Sequence, residues 1–147
     1  MNHTNKLNKM TMKLTKFALA AALAAAGFSL TAYADTAPLP PASTKTGVTY
    51  DTDIKPIFDA SCVKCHSGDR PKARLRMDSL AGVMKGTKEG KIVTPGDSAK
   101  SFIVKAIAHA TTDQDSWMPP LKNKAGIKPL TPDEIGLIRA WIDQGAK

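Results

Sequence analysis

The chain has 147 residues with 42% hydrophobic but only 5% aromatic side chains, and 21 basic against 13 acidic residues give a formal charge of +8. That length suits one domain. The sparse aromatics and the lack of any recognition motif exclude a nucleic-acid binder despite the positive sign.

The first 34 residues account for part of that charge. Lys6, Lys9, Lys13 and Lys16 form a basic stretch with no acidic residue, Phe17 to Leu30 is apolar and Ala-rich, and Ala32-Tyr33-Ala34 is a small-residue cleavage site. Residues 1–34 therefore read as a secretory signal peptide cut before Asp35, with Met10 or Met12 also able to start it. An uncleaved anchor is the weaker alternative, because the apolar run falls short of the ~20 strongly apolar residues of a spanning helix. With the leader removed, all 13 acidic residues and 17 of the 21 basic ones remain, a formal charge of +4. The mature protein is expected in the periplasm, without stable membrane insertion.

Residues 35–48 hold Pro38, Pro40, Pro41, Ser43, Thr44 and Thr46, and read as a flexible Pro-rich segment leading into one domain over residues 49–147. A helix is expected from about Thr52 onward, with Ile54, Ile57 and Phe58 on one apolar stripe, Thr52 or Asp53 as cap and Pro56 in the first turn. It leads into Cys62-Val63-Lys64-Cys65-His66. Residues 67–84 are loop-like apart from a short helix around Ser79 to Met84. Pro95-Gly96 marks a turn, and Asp97 is the expected N-cap of a helix over about Ser98 to His109, burying Phe102, Ile103, Ala106 and Ile107. Residues 111–128 have no helical period and are stiffened by Pro119-Pro120. The last helix starts at Thr131 as N-cap, with Pro132 at N1 and Glu134 at N3, buries Ile135, Ile138, Trp141 and Ile142, and stops at Gly145.

Both cysteines of the chain fall in the one string Cys62-x-x-Cys65-His66. This is the spacing of covalent haem attachment. Each thiol adds to one vinyl group of the porphyrin, and the adjacent imidazole reaches the iron from one face. A zinc site would need a fourth ligand from elsewhere, usually a second separated pair, and a thioredoxin-like pair would need a βαβ context. The export leader agrees independently, since thioether formation in bacteria takes place outside the inner membrane. One covalent haem c, with its iron, is the expected cofactor.

His66 should fill one axial position of that iron. Met77, Met84, Met118, His109 or nothing could fill the other. Met118 is favoured because its loop is stiffened by two prolines, and a soft thioether raises the reduction potential and suits electron transfer. A core methionine filling a gap is the alternative for it. Met77 and Met84 read as core or haem-wall residues, and His109 as a solvated histidine at a helix C-terminus.

The chain resembles class I c-type cytochromes, and is most similar to the secreted cytochrome c domains of planctomycetes and related bacteria. The strings that carry the resemblance are Ile54-Lys55-Pro56-Ile57-Phe58, Cys62-Val63-Lys64-Cys65-His66, Pro95-Gly96-Asp97, Ser101-Phe102-Ile103, Met118-Pro119-Pro120, Leu130-Thr131 and Trp141-Ile142-Asp143-Gln144-Gly145-Ala146. The resemblance implies an all-α cytochrome c fold, a small helical domain wrapped around one covalent haem, with the first and last helices crossing beside it. It also implies His66 as proximal and Met118 as distal ligand. Relatives of this subtype are often fused to other domains, whereas this chain stands alone, so electron donor and acceptor stay unspecified.

The leading expectation is a monomeric periplasmic one-electron carrier, not an enzyme, that meets redox protein partners. Lys64, Arg70, Lys72, Arg74 and Arg76 either neutralise haem propionates and steer an acidic partner, or form a solvated basic loop. The rival functions are a haem enzyme or gas-ligand sensor with an open distal site, for which His109 is the one obvious polar group, and a haem subunit of a larger redox complex.

Overall fold

The computed structural model describes residues 38–147, so the expected signal peptide and its cleavage site lie outside the described residues. Every regular element among the described residues is helical and none is a strand. No helix among them is long and apolar enough to cross a membrane.

A π-helical turn, Tyr50–Ile54, runs directly into helix α1, Lys55–Ser61. Pro56 falls in the first turn of α1, where its missing N–H leaves no gap in the ladder. The expected stripe points inward at Ile54 and Phe58, which have no solvent exposure, while Ile57 is only partly buried. Helix α2, Leu80–Lys85, begins after Ser79, whose hydroxyl accepts from the Gly82 N–H at 3.2 Å.

Helix α3, Phe102–Ile107, is shorter than the expected span. Asp97 does not cap it. Its carboxylate accepts from the Lys100 N–H at 3.0 Å, and the Ser101 hydroxyl donates to the Asp97 carbonyl at 2.9 Å, which closes a separate turn ahead of the helix. Phe102 thereby becomes the first helical residue and is 48% exposed rather than part of the buried stripe. Ile103, Val104, Ala106 and Ile107 are buried as the period requires.

Helix α4, Pro132–Asp143, carries the expected capping box: the Thr131 hydroxyl accepts from the Glu134 N–H at 3.2 Å, and the Glu134 carboxylate accepts from the Thr131 N–H at 2.7 Å. It packs against both the π-turn and α3. At the first contact Tyr50, Phe58 and Trp141 form one aromatic cluster, with Phe58 and Trp141 edge to face at 6.4 Å and 87° and Tyr50 at 6.2 Å from Phe58. The Trp141 indole N–H and the Tyr50 backbone N–H both donate to the Lys147 carbonyl at 2.9 Å. The Pro95-Gly96 turn is pinned to the far end of α4, where Gly96 N–H meets the Ile142 carbonyl at 2.8 Å and Asp143 accepts from both the N–H and the hydroxyl of Ser98.

The Pro-rich segment departs from its reading as a flexible leader. From residue 38 it lies along α4. Ser43 N–H donates to the Gly136 carbonyl at 2.9 Å, the Arg139 guanidinium donates to the Pro40 carbonyl, and Gln144 both donates to the Lys45 carbonyl at 2.8 Å and accepts from the Val48 N–H at 3.1 Å. Side chains of α4 thus supply the partners that the segment lacks within itself. The contact needs glycine at 136, since a Cβ there would stand 2.7 Å from the Pro41 carbonyl oxygen. Alanine would otherwise favour a helix interior by up to ~1 kcal/mol. Gly136→Ala is nevertheless expected to lower the melting temperature and to open residues 38–48 to limited proteolysis. A variant at least as stable as the parent, with no new cleavage, would show that the segment is not held there.

Candidate functional site

The end of α1 feeds a tight turn. Cys62 and Val63 N–H groups both donate to the Phe58 carbonyl at 2.8 and 2.9 Å, and Cys65 and His66 N–H groups both donate to the Cys62 carbonyl at 3.1 and 3.0 Å. Two shared acceptors therefore coil five residues so that Cys62, Cys65 and His66 border one cavity. The following loop is sewn onto them by Lys72 N–H to the Cys65 carbonyl at 3.0 Å and Met77 N–H to the His66 carbonyl at 2.8 Å.

His66 is buried, and its Nδ1 lies 3.1 Å from the Lys72 carbonyl oxygen. A carbonyl only accepts, so Nδ1 carries the proton and Nε2 keeps the lone pair that a metal needs. Burial holds the imidazole below its usual pKa, against the opposing pull of backbone hydrogen bonds with Lys72 and Leu75, and so favours the neutral form. Burial, with the neighbouring Cys65 adding to it, also pushes the Cys62 thiol up to about 12. Redox-active thiol pairs work through a lowered pKa, so this pair does not fit that chemistry. Both thiols are free, and no group of three or more His, Cys, Asp or Glu side chains among the described residues converges to hold a bare metal ion.

The cavity measures about 770 Å³, within the range of small-molecule and cofactor sites, and its wall is mainly apolar. Leu75 and Met77 line it beside the cysteine turn, Ile103 and Ile107 line it from α3, and Met118, Pro119 and Pro120 line it from the proline loop. The Met118 N–H donates to the Ala106 carbonyl at 3.0 Å, so the C-terminal turn of α3 fixes the loop that carries the thioether. Met77 is a buried wall residue, as read from sequence; Met84 packs partly buried against the core and does not line the cavity.

Several side chains in and near the site stand differently from their sequence reading. His109 is not a solvated helix-terminal histidine. It sits two residues past the end of α3 at φ +52°, its ring stacks on Trp117 at 4.9 Å and 6°, and its Nε2 is buried without a partner. It does not line the cavity, which removes the one polar group considered for an open distal site. Of the five cations after the cysteine motif only Lys72 lines the cavity; Arg70, Arg74 and Arg76 line a second one. Lys91 and the half-exposed Phe102 also line the first cavity, and no motif in the sequence marked Lys91.

Residues 62–122 match the family model described as Planctomycete cytochrome C. This stretch is a planctomycete-type cytochrome c domain. No curated protein and no solved structure gives a match. The matched stretch opens on the cysteine motif and includes Met118, while α1 and α4 lie outside it. A cytochrome c domain implies covalent haem c, iron and haem-based electron transfer. The residues present fit such a group: two free thiols, a neutral imidazole with its Nδ1 already engaged, and a thioether all border one apolar cavity of adequate size.

The loop bearing Met118 is braced by the His109–Trp117 stack, with the Trp117 indole N–H donating to the Thr111 carbonyl at 3.2 Å. A double-mutant cycle of His109→Ala and Trp117→Ala is expected to give a coupling of about 0.5–1.5 kcal/mol in unfolding free energy. Additive losses would mean that the rings do not support each other.

Proposed function

We propose that this chain is an exported, monomeric one-electron carrier with a single haem c, tethered through thioethers to Cys62 and Cys65 and ligated by His66 and Met118. The reading rests on one observation: both thiols, the neutral imidazole and the Met118 thioether border a single apolar cavity. When bound, the haem supplies an iron that takes up and releases one electron. The chain supplies the rest. Cys62 and Cys65 hold the group to the end of α1, and the Lys72 carbonyl fixes His66 in the tautomer that offers Nε2. Met118 contributes a soft, neutral sulfur from a loop fixed to α3, which favours the reduced state. It also fills the position that an enzyme or gas sensor would leave open. The apolar wall keeps water away and limits reorganisation when charge changes. Redox proteins of the periplasm are the partners of this reading, and the leader of residues 1–34 would take the chain there.

Two measurements test it. Protein made in a host able to attach haem c should keep its haem through a denaturing gel, and a Cys62→Ser, Cys65→Ser double variant should lose it. Haem released from the parent protein by denaturation would refute covalent attachment. Met118→Ala should abolish the weak red sulfur-to-ferric-iron charge-transfer band, lower the midpoint potential and let the reduced protein bind carbon monoxide at neutral pH. Met77→Ala should leave the band in place. A band that survives Met118→Ala would assign the sixth ligand elsewhere.

A further inference from the structure

A second cavity, of about 720 Å³, lies across the Lys72–Arg74 turn from the first and shares no lining residue with it. The chain between them alternates. Lys72, Ala73, Leu75 and Met77 border the haem cavity, whereas Pro71, Arg74 and Arg76 border the other. Arg70 and Lys85 bring the cations among its lining residues to four, all exposed to solvent, against a single acidic one, Asp69. Arg76 is held by Asp78, with its guanidinium 2.5 Å from the carboxylate. Among the described residues Arg70, Arg74 and Lys85 have no carboxylate within ion-pair distance. Like charges brought around one hollow repel unless an anion joins them.

The backbone is shaped for this grouping. Ala73 and Arg74 are both left-handed, at φ +53° and +54°, a conformation that non-glycine residues avoid unless the surroundings impose it. Gly82 lets α2 close onto Arg76, because a Cβ at 82 would lie 2.8 Å from both the Arg76 Cβ and its carbonyl oxygen. Planar guanidinium groups match the paired oxygens of a phosphate, and the ammonium of Lys85 adds a point charge.

We propose that Arg70, Arg74, Arg76 and Lys85 form a binding site for a phosphate group, separate from the haem cavity. The hollow exceeds what one bare ion needs, so an organic phosphomonoester fits as well as inorganic phosphate, and the site's oxyanion chemistry serves either.

Isothermal titration calorimetry on the haem-loaded protein at constant ionic strength tests this, with phenyl phosphate in one arm and inorganic phosphate in the other. Saturable binding of one equivalent is expected, weakened about tenfold by Arg74→Gln and by Lys85→Gln separately. Lys100→Gln, a cation outside the cavity, should leave it unchanged. Tighter binding of the ester would identify the organic ligand, and equal binding the free ion; either supports the site. No saturable heat in either arm, or equal weakening by Lys100→Gln, would reduce the cluster to diffuse surface charge and overturn the proposal. Absorption spectra and melting temperatures of the variants verify that they are folded. The heats report on the anion alone, so a negative result would leave the electron-carrier reading standing.

Discussion

The site depends on one residue that belongs to the core and to the turn at once. The Phe58 side chain is fully buried and packs edge to face on Trp141, while its carbonyl accepts the N–H groups of both Cys62 and Val63. Where α1 ends, and how the cysteine turn is oriented, are therefore set by the contact between the first and last helices. Close-packed aromatic cores have few alternative arrangements. Cys62, Cys65 and His66 consequently inherit their position from helix packing, although they stand on an irregular turn.

Around that turn charge is kept low. Burial favours the neutral forms of the Cys62 thiol and the His66 imidazole, and the charged residues that border the first cavity, Lys72 and Lys91 with Glu89 and Asp115, cancel in sign. The stronger positive cluster faces away, into the second cavity. An apolar site with no net charge in its wall leaves the axial ligands as the main control on an iron's potential. A ring of arginines inside it would instead have favoured the reduced state regardless of the sixth ligand.

How much was legible in the sequence follows from how local each signal is. The capping box at Thr131 and Glu134 lies within four residues, and α4 starts where it was read to start. The cysteine motif is likewise a local chemical spacing, and Pro119-Pro120 marked the Met118 loop. The start of α3 was misread because Asp97 has a competing local use, holding Lys100 and Ser101 in a turn of their own. The Pro-rich segment was misread for the opposite reason: its partners Arg139 and Gln144 stand 99 residues further along the chain, and composition carries no trace of them. His109 needed a left-handed residue and a stack on Trp117, neither visible in a helical period. The basic run was legible in kind but not in direction. Its period of two, Arg74 and Arg76 against Leu75 and Met77, is the sign of a chain with two different sides.

That alternation ties the two cavities together mechanically. The turn that presents Arg74 to one cavity also presents the Lys72 carbonyl to His66 in the other, with two left-handed residues between the ends of the arrangement. Such residues cost on the order of 1 kcal/mol or more each, and persist only where neighbouring contacts hold them. Here the contacts lie on both sides: Lys72 N–H on Cys65, Met77 N–H on His66, and α2 closing onto Arg76 through Gly82. The cationic side and the imidazole's hydrogen bond therefore share one short stretch of backbone, held from both sides.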